Sequence, residues 1–583
     1  MRKGSDKITN REKTIPVSEG AEAFLELLNA NGVDYLFLNP GTDTIPVQEA
    51  IAKYKALGRR IPEVILCLDE SVGMNAAIGY FMITGRPQVM LVHTDVGTQQ
   101  AGAALHSAQR GRIGVVFCAG RPPLDLDADN PNGRSNFVNW VQDEFDQHGI
   151  MRGYVKWDYE LRTNQNIHRV LPRAFQVAAT EPCGPVYLTL PRELLMEKMK
   201  QVKILDLARH AIPLTPQADA GTLLKIADIL LQAKMPLIIT GYSGRNAGAV
   251  ASLVELAETI GARVVTDKFR MNFPTYHPLC GGINPHPYFP ESDVVLVIDH
   301  DAPYLPITAE PGPDTKIIHI DIDPIKQDMP TWSFPADIRV EADSSKMLPE
   351  LTGIIRQQIT PERKTAIQSR TQQLQSQHQT MQAEWHNLAM SQAEHSTITA
   401  EWLCHCIAEV VDENTIILNE SITNSPSVAR QIPRTIPGTT FNSGGSALGW
   451  GLGGALGMKL SAPDKTVVTL VGDGSFLFGR PIAALWAAHV YHAPFLCVIF
   501  NNKRYHAPKR ALLKIYGENS YSTRTGAWVG IDIVPPPDYS LIAEASHAFG
   551  QKITDPTAIK PALEQALDRV RHGSCVVLDI IIE

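Results

Sequence analysis

The amino-acid sequence predicts an α/β fold with three doubly wound parallel-sheet domains. Apolar, β-rich runs alternate with helical runs along most of the chain, which is typical of parallel sheets covered by helices on both faces. The runs form three blocks, and polar or proline-bearing segments separate them. A length of 583 residues agrees with three or four domains, because a domain usually has roughly 100–200 residues.

The three blocks define the predicted domains, which span residues 15–192, 216–355 and 401–583. Short apolar runs within each block indicate buried strands, and helical runs such as 71–84 and 97–108 fill the gaps. The candidate strands are 63–68, 88–93, 114–118 and 186–190 in the first block, 237–240, 263–267, 294–298 and 316–320 in the second, and 415–419, 466–471, 495–501 and 575–582 in the third.

Residues 356–400 differ in composition from the blocks on either side. This stretch is polar and rich in glutamine, as in RQQITPERKTAIQSRTQQLQSQHQTMQAEW. A helix that is polar on all sides is typical of one that bridges domains at a surface, and disorder is the alternative. We therefore expect a polar helical linker between the second and third domains.

The composition excludes several classes of function. The formal net charge is −8 without a long basic run, whereas nucleic-acid binding requires a basic stripe. No stretch reaches the roughly 18 unbroken apolar residues of a membrane helix. Four of the eight cysteines, Cys67, Cys118, Cys497 and Cys575, lie in apolar strand-like runs, where cysteine acts as a small hydrophobic residue. We expect a reduced, cytoplasmic protein with neither a nucleic-acid nor a membrane partner.

The most specific motif lies in the third block. The β run TVVTLV is followed by Gly472, Asp473, Gly474 and Ser475. A helical run at about 479–492 comes next, and a second β run, FLCVIF, ends in Asn501-Asn502. Ligands of open α/β sheets bind beyond the carboxyl ends of the strands, where glycines allow phosphates to approach and helix N-termini offer free N–H groups.

The same motif offers oxygen ligands to a hard cation. Mg²⁺ prefers oxygen ligands, some of them from phosphates, and Asp473 and Asn502 supply a carboxylate and an amide oxygen. The segment from Gly472 to Asn502, 31 residues in all, therefore predicts a site for a diphosphate and a divalent cation. The alternative is a tight strand–helix turn followed by an asparagine-rich turn.

These motifs resemble the thiamine-diphosphate motif of the family that includes acetolactate synthase, pyruvate decarboxylase and benzoylformate decarboxylase. The resemblance covers most of residues 15–583 and implies an N-terminal pyrimidine-binding domain, a central domain and a C-terminal diphosphate-binding domain. It implies that Asp473, Asn502 and the backbone carbonyl of Arg504 bind Mg²⁺. Many family members have a small residue at the position of Arg504, but a carbonyl ligand needs no particular side chain. Gly472, Gly474 and Ser475 would complete the cofactor-binding turn.

The first block carries the candidate for the activating residue. A strand there is followed by Asp69-Glu70 and a helical run, and this segment resembles the one that holds the family's essential glutamate. We therefore assign that role to Glu70. A buried carboxylic acid beside the aminopyrimidine favours the imino tautomer that removes the thiazolium C2 proton, and burial raises a carboxyl pKa. The alternative is that an acidic pair at a helix start only complements the helix dipole.

A glycine-rich segment, NSGGSALGWG at residues 442–451, precedes the diphosphate motif. It resembles the family stretch that holds the aminopyrimidine. The resemblance implies that Leu448 forces the cofactor into its bent form and that the Ser446 carbonyl accepts a hydrogen bond from the amino group. The alternative is a glycine-rich helix start packed in the core.

One residue bears on the choice of substrate. His93 follows Glu70 by 23 residues, the spacing at which benzoylformate decarboxylase-like members have a histidine at a strand end. A histidine with a near-neutral pKa can shuttle protons to a reacting substrate, whereas the alternative is a structural cap on the strand. The pair of adjacent histidines typical of pyruvate decarboxylases is not visible in the first block, which disfavours that activity.

The resemblance implies an enzyme dependent on thiamine diphosphate and Mg²⁺ that makes or cleaves a carbon–carbon bond next to the carbonyl of a 2-oxo acid or aldehyde. We expect an acetolactate synthase-like carboligase or decarboxylase. The alternatives are a benzoylformate-type decarboxylase or benzaldehyde-lyase-like enzyme, then a 2-hydroxyacyl-CoA or oxalyl-CoA lyase, and lastly a regulatory subunit without activity. FAD is disfavoured because Gly241–Arg245 is not a full G-x-G-x-x-G loop; an ADP moiety or no ligand there are the alternatives.

The spacing of the motifs and the family resemblance together bear on the oligomeric state. Glu70 and Asp473 lie about 400 residues apart and would have to meet at one cofactor. The resemblance implies that two subunits pair head to tail, each lending its first block to the third block of the other. Twofold symmetry makes this exchange self-consistent, so we predict a homodimer at minimum and, by the resemblance, a homotetramer.

Overall fold

The structure, a computed structural model, describes residues 12–126, 132–267 and 269–583. It contains three parallel-sheet α/β domains, which confirms the predicted fold class. The chain divides into two compact units. One comprises the described residues up to Pro213 together with Gly444–Ser461, and the other comprises Leu214–Ser443 with Ala462–Glu583.

The N-terminal domain alternates strands and helices. Its strands are β1 (Lys13–Pro16), β2 (Tyr35–Leu38), β3 (Glu63–Leu66), β4 (Val89–Val92), β5 (Val116–Arg121), β6 (Trp157–Glu160), β7 (Val186–Pro191) and β8 (Gln201–Ile204). Its helices are α1 (Gly20–Ala30), α2 (Ile45–Ala56), α3 (Glu70–Thr84), α4 (Thr94–Gln100), α5 (Gly102–Arg110), α6 (Val138–Val141), α7 (Ile167–Ala179) and α8 (Arg192–Met196). Six strands form a parallel sheet in the order β3-β2-β4-β5-β7-β6, and β1 pairs with β8 in an antiparallel ribbon that the sequence analysis did not anticipate.

The central domain has a five-stranded parallel sheet and long helices. Its elements are α9 (Ala220–Gln232), β9 (Pro236–Thr240), α10 (Ala247–Ile260), β10 (Arg263–Thr266), β11 (Val294–Ile298), β12 (Lys316–Asp321), β13 (Ile338–Glu341), α11 (Ser344–Gln358) and α12 (Pro361–Ser391). The strand order is β10-β9-β11-β12-β13.

Helix α12 occupies most of the stretch interpreted as a polar linker, but it is not polar on all sides. Leu374, His378 and Arg370 are buried, and Arg370 donates hydrogen bonds to the carbonyls of Gly261 at 2.8 Å and Lys234 at 2.9 Å. These carbonyls follow the C-termini of α10 and α9, where a cation is stabilised by the unpaired carbonyl dipoles. The helix is therefore anchored on the central domain.

The C-terminal domain has a six-stranded parallel sheet. Its elements are α13 (Ala400–Val410), β14 (Ile416–Glu420), α14 (Ser425–Gln431), β15 (Thr440–Phe441), α15 (Trp450–Ser461), β16 (Val467–Gly472), α16 (Asp473–Phe478), α17 (Pro481–Val490), β17 (Leu496–Asn501), α18 (His506–Tyr516), α19 (Tyr521–Thr525), α20 (Tyr539–Glu544), β18 (Phe549–Ile553), α21 (Ile559–Arg571) and β19 (Val576–Ile581). The strand order is β15-β14-β16-β17-β19-β18.

The three sheets share one topological feature that positions ligand sites. In each of them the second strand in the chain pairs with the first strand on one edge, and the third strand pairs with the first strand on the opposite edge. This places a switch point between β2 and β4, between β9 and β11, and between β14 and β16. Ligands of open α/β sheets bind in the crevice outside the carboxyl ends of the strands at such a point.

Helices α3 and α15 pack with their backbones in close approach, within the first unit. A Cβ placed on Gly457 would overlap the carbonyl oxygen of Ala76, and one on Gly453 would lie 2.7 Å from the Cβ of Asn75. The amide of Asn75 also donates to the carbonyl of Gly449 at 3.4 Å. The glycines of α15 are therefore required by packing against the helix that begins at Glu70.

We expect Gly457→Ala to destabilise the protein by about 1–3 kcal/mol, because the added methyl meets a backbone oxygen that cannot rotate away. Gly353→Ala in α11 is the matched control, since no atom of the described residues lies within 4 Å of a Cβ there. The control should be neutral or stabilising by about 0.5–1 kcal/mol, because alanine favours a helix interior. Thermal melts of both variants test the packing, and equal melting temperatures would contradict it.

No helix in the described part of the chain is both long and apolar enough to cross a membrane.

Candidate active site

The diphosphate motif lies at the carboxyl ends of β16 and β17 in the second unit. Asp473 is 3% exposed, and its Oδ1 accepts a hydrogen bond from the N–H of Gly474 at 2.8 Å. Its Oδ2 and the Oδ1 of Asn502 both lie 3.2 Å from the backbone nitrogen of Arg504. The structure thus brings the oxygens of Asp473 and Asn502 to the same turn, at residue 504.

The charge of Asp473 suits a cation. Burial raises the pKa of this carboxyl, while the backbone N–H groups of Gly474, Arg504 and Lys503 lower it in part. A buried carboxylate held by backbone amides leaves lone pairs for a metal, so the carboxylate, the amide oxygen of Asn502 and a backbone carbonyl fit the oxygen donor set of Mg²⁺. Within the described ranges, no cluster of three or more His, Cys, Asp or Glu side chains forms a different kind of metal site.

The glycines and serine of the turn have separate roles in the fold. A Cβ on Gly474 would overlap the ring of Tyr505, so this glycine is needed for packing. A Cβ on Gly472 would meet open space, with Ser475 Oγ the nearest atom at 3.9 Å. Ser475 is buried and donates to the carbonyl of Glu420 at 3.5 Å, at the β14–β16 switch point. Gly472 therefore leaves room beside the turn for a ligand.

One detail of this segment differs from the sequence interpretation. The helix expected at 479–492 is present as α17, and a short helix that was not predicted, α16, begins before it at Asp473. Arg480 between them has a left-handed backbone with a φ of 51°, and Pro481 cannot donate the hydrogen bond that would continue a helix.

Glu70 is the first residue of α3. Asp69 precedes it as the helix cap, and its side chain accepts a hydrogen bond from the N–H of Ser71 at 2.9 Å. Burial raises the pKa of the Glu70 carboxyl, Asp69 raises it further, and His93 and Asn39 lower it. A Cβ on Gly97 would lie 3.1 Å from the Glu70 carboxylate, so a glycine there leaves room for this group.

His93 lies at the end of β4, in the electrostatic environment of Glu70. Its Nδ1 is hydrogen-bonded to the carboxylate of Asp43, and its Nε2 lies 2.6 Å from the amide nitrogen of Gln142. Burial lowers the pKa of the imidazole, but the hydrogen bond to the carboxylate of Asp43 together with nearby carboxylates leaves it raised. The side chain of His93 does not cap α4. Its polar contacts are instead the two side-chain contacts just described, at the β2–β4 switch point.

Asp43 and Gln142 are the residues that the sequence analysis missed. Asp43 follows β2 and His93 follows β4, and these strands are neighbours in the sheet. The PGTDT turn after a buried apolar run was the signal that would have singled out Asp43. Gln142 lies in a loop with no comparable pattern.

The glycine-rich segment lies against the end of α5 in the first unit. Gly444 has a φ of 77°, and a Cβ there would overlap the Cα of Gly111. Ser446 is exposed, with its Oγ 3.2 Å from Nε2 of His106, and Leu448 is partly buried. Close packing accounts for the glycines, and the roles of Ser446 and Leu448 toward the cofactor stay predictions.

The candidate residues fall into two groups. Glu70, His93, Ser446 and Leu448 belong to the first unit, while Gly472–Ser475, Asn502 and Arg504 belong to the second.

The central domain carries the loop considered for a nucleotide. A Cβ on Gly241 would lie 3.0 Å from the ring of His300, and one on Gly244 would overlap the carbonyl of Met271. Buried Asp299 accepts from Ser344 and lies 3.1 Å from Nη1 of Arg245. Packing within the domain explains these glycines, and the expectation that FAD is disfavoured stays a prediction.

Comparison with known proteins identifies the class. Residues 18–150 match the N-terminal TPP binding domain of the thiamine pyrophosphate enzymes, residues 223–351 match their central domain, and residues 421–580 match their C-terminal TPP binding domain. Thiamine pyrophosphate is another name for thiamine diphosphate. The three ranges cover more than half of the chain, which therefore belongs to the thiamine pyrophosphate enzyme family.

Individual relatives have different activities. The chain is 25% identical to the acetolactate synthase isozyme 3 large subunit of Escherichia coli, over 97% of this chain and 95% of the relative. It is also 25% identical to the benzoylformate decarboxylase of Pseudomonas aeruginosa, over 83% of this chain and 86% of the relative. A solved 4-hydroxybenzoylformate decarboxylase from Rhodococcus jostii RHA1 shares the fold, with a TM-score of 0.77 at 22% identity over 97% of this chain and 99% of its own.

Proposed function

We propose that this protein is a thiamine-diphosphate- and Mg²⁺-dependent enzyme that makes or cleaves a carbon–carbon bond next to the carbonyl of a 2-oxo acid. The favoured reaction is acetolactate synthase-like carboligation or decarboxylation. The observation that carries the proposal is the turn at the ends of β16 and β17, where the oxygens of Asp473 and Asn502 meet at Arg504. Relatives along almost the whole chain include acetolactate synthase large subunits.

In this proposal Asp473, Asn502 and the carbonyl of Arg504 would hold Mg²⁺, whose charge would favour binding of the diphosphate. The bound cofactor supplies the hard chemistry, because it adds to a carbonyl and accepts the electrons of the broken bond. Glu70 holds a proton beside the aminopyrimidine, a role supported by a pKa that burial raises. Gly97 leaves the Glu70 carboxylate room to do so.

A benzoylformate-type decarboxylase is the second candidate, and His93 is the residue that favours it. The histidine lies at a strand end, and Glu70 is among the acidic groups that raise its pKa. A group with this environment can give a proton to a reacting substrate near neutral pH.

A panel of 2-oxo acids tests the proposal. Purified protein should contain or take up thiamine diphosphate, and pyruvate or benzoylformate should release carbon dioxide. Formation of acetolactate from pyruvate would support carboligation, whereas benzaldehyde from benzoylformate would support simple decarboxylation. Absence of cofactor binding together with absence of carbon dioxide release would overturn the proposal.

A complementation experiment tests the shared site. Glu70→Gln and Asp473→Ala subunits should each be inactive, and mixing them should restore activity, because a hybrid dimer then has one site with neither defect. Subunit exchange seen by mass spectrometry without recovered activity would contradict the shared site.

A further inference from the structure

The clearest feature outside the predicted site residues is the buried carboxylate of Asp43, which lies next to the imidazole of His93. Asp43 is 1% exposed, and both of its oxygens are engaged. One bonds to Nδ1 of His93, and the other lies 3.4 Å from the N–H of Thr94. A buried carboxylate is unfavourable unless paired, so its place behind the imidazole requires an explanation.

The surrounding backbone makes room for this pair. A Cβ on Gly120 would overlap Oδ2 of Asp43, and a Cβ on Gly41 would overlap Nδ1 of His93. Thr94, directly after His93, has a φ of 21°, which β-branched residues rarely adopt. Strain of this kind persists only where the surrounding structure imposes it, and it is concentrated at functional sites.

We propose that Asp43 is the positioning residue of His93: its carboxylate fixes the imidazole with Nδ1 protonated and leaves Nε2 as the nitrogen that exchanges a proton with the substrate. This role rests on the proposed function for its chemistry. In the transfer the proton leaves Nε2, the electron pair of the N–H bond stays on the nitrogen, and the substrate accepts the proton. Solvent then returns a proton to Nε2.

Gln142 suits this cycle because an amide has a donor and an acceptor. Its nitrogen lies 2.6 Å from Nε2, as a donor to the neutral ring requires, and its buried oxygen has no hydrogen-bond partner among the residues that the structure describes. Rotation of the amide by half a turn would present that oxygen to a protonated Nε2. Gln142 can therefore bind Nε2 before and after the transfer, but it must leave Nε2 while the substrate takes the proton, because that nitrogen has one hydrogen-bonding position.

Several charged groups set the titration of the ring. Asp43 on the loop after β2, Asp95 on α4 and Glu70 on α3 all favour the protonated form, and burial opposes it. Arg192 on α8 interacts with Asp43 rather than with the ring. Among these groups, Asp43 is the one with a hydrogen bond to the imidazole, so only its loss should change both the pKa and the tautomer.

Histidine-selective NMR of the apo protein tests the proposal without any cofactor. The signal of His93, one of 18 histidines, is identified by its loss in His93→Gln. In Asp43→Asn the pKa of His93 should fall by about 1–2 pH units, the size of a hydrogen bond to a charged group. The matched variant Asp95→Asn should lower it less and keep the Nδ1–H tautomer.

The pH dependence of turnover provides the second measurement. With pyruvate or benzoylformate, the limb on which the rate falls with rising pH should move to lower pH in Asp43→Asn by the same amount. An unchanged titration and tautomer in a folded Asp43→Asn variant would overturn the proposal. If that variant does not fold, an Nε2–H tautomer of His93 in the wild type would overturn it.

The two proposals fail in different ways. If Asp43→Asn shifts the His93 titration but no 2-oxo acid is turned over, the proposed function fails, while the control of His93 by Asp43 stands. If 2-oxo acids are turned over and the pH limb does not move, the positioning role fails and the proposed function stands.

Discussion

Replacing Glu70 by glutamine should slow exchange of the C2 proton of bound thiamine diphosphate by about 10²–10⁴-fold, the usual size of a general acid–base effect. Glutamine keeps the shape of the side chain but cannot hold an ionisable proton beside the aminopyrimidine. Cofactor affinity should change little. Exchange into D₂O followed by NMR measures the rate, and a rate near that of the wild type would assign the activating role to another residue.

Asp69→Asn is the matched control for this experiment. Asp69 is adjacent to Glu70 but caps α3 through the N–H of Ser71, and asparagine caps a helix as well as aspartate does. We therefore expect near-normal exchange and near-normal stability in this variant. A similar loss of exchange in both variants would point to damage of the helix start rather than to lost chemistry.

The pH dependence of stability should separate the Glu70 variant from the wild type. Because burial raises the pKa of Glu70, the folded state holds this proton more tightly than the unfolded chain. The resulting stabilisation is complete below the unfolded pKa and is lost as pH rises through the folded pKa. Glu70→Gln should therefore gain in melting temperature relative to the wild type as pH rises through this range.

Replacing Asp473 by alanine should abolish joint binding of Mg²⁺ and thiamine diphosphate, with a loss in affinity of more than about 100-fold. Substitution of a residue that hydrogen-bonds to a metal ligand weakens metal binding by roughly 10–100-fold. Loss of the ligand itself should therefore weaken metal binding by more than this. Calorimetry with the cofactor at fixed Mg²⁺ measures the effect, and unchanged affinity would refute the assignment of this carboxylate.

Arg504→Ala shows whether a side chain or the backbone contributes the third ligand. The backbone carbonyl is retained in this variant, so Mg²⁺ affinity should stay within a few-fold of the wild type.

The apo form of Asp473→Ala should melt close to the wild type, because burial disfavours the ionised Asp473 in the absence of a cation. A strongly lowered melting temperature would instead indicate a structural role for Asp473.

The sequence predicted most of the strands within one to three residues at each end. Strand β11 was predicted at 294–298, where the structure has it, and β4 was predicted at 88–93 and spans Val89–Val92. The strands that were not predicted are β1, β2, β6, β8, β13, β15 and β18. They have two to five residues each, and so short a run does not reveal whether it is a strand or part of a helix.

Part of the candidate site could be predicted from local sequence patterns, whereas the rest depends on contacts between residues far apart in the chain. Glycines, an aspartate and an asparagine at two strand ends predicted the diphosphate turn. These are the residue types that a phosphate site at the ends of parallel strands needs. The PGTDT turn marks Asp43 as a polar residue after an apolar run, but it does not indicate the partner of this carboxylate. Its importance depends on the hydrogen bond to a residue 50 positions away in the chain.

The sequence by itself determined the class of fold, the domain that carries the predicted diphosphate motif and the residue types at its strand ends, since periodicity and turn residues are local properties. Only the tertiary structure decided that β2 lies beside β4, which brings Asp43 to His93, and that the glycines of α15 allow it to pack closely on α3. Strand order and helix packing arise from long-range burial of apolar surface, which no short segment of the chain encodes.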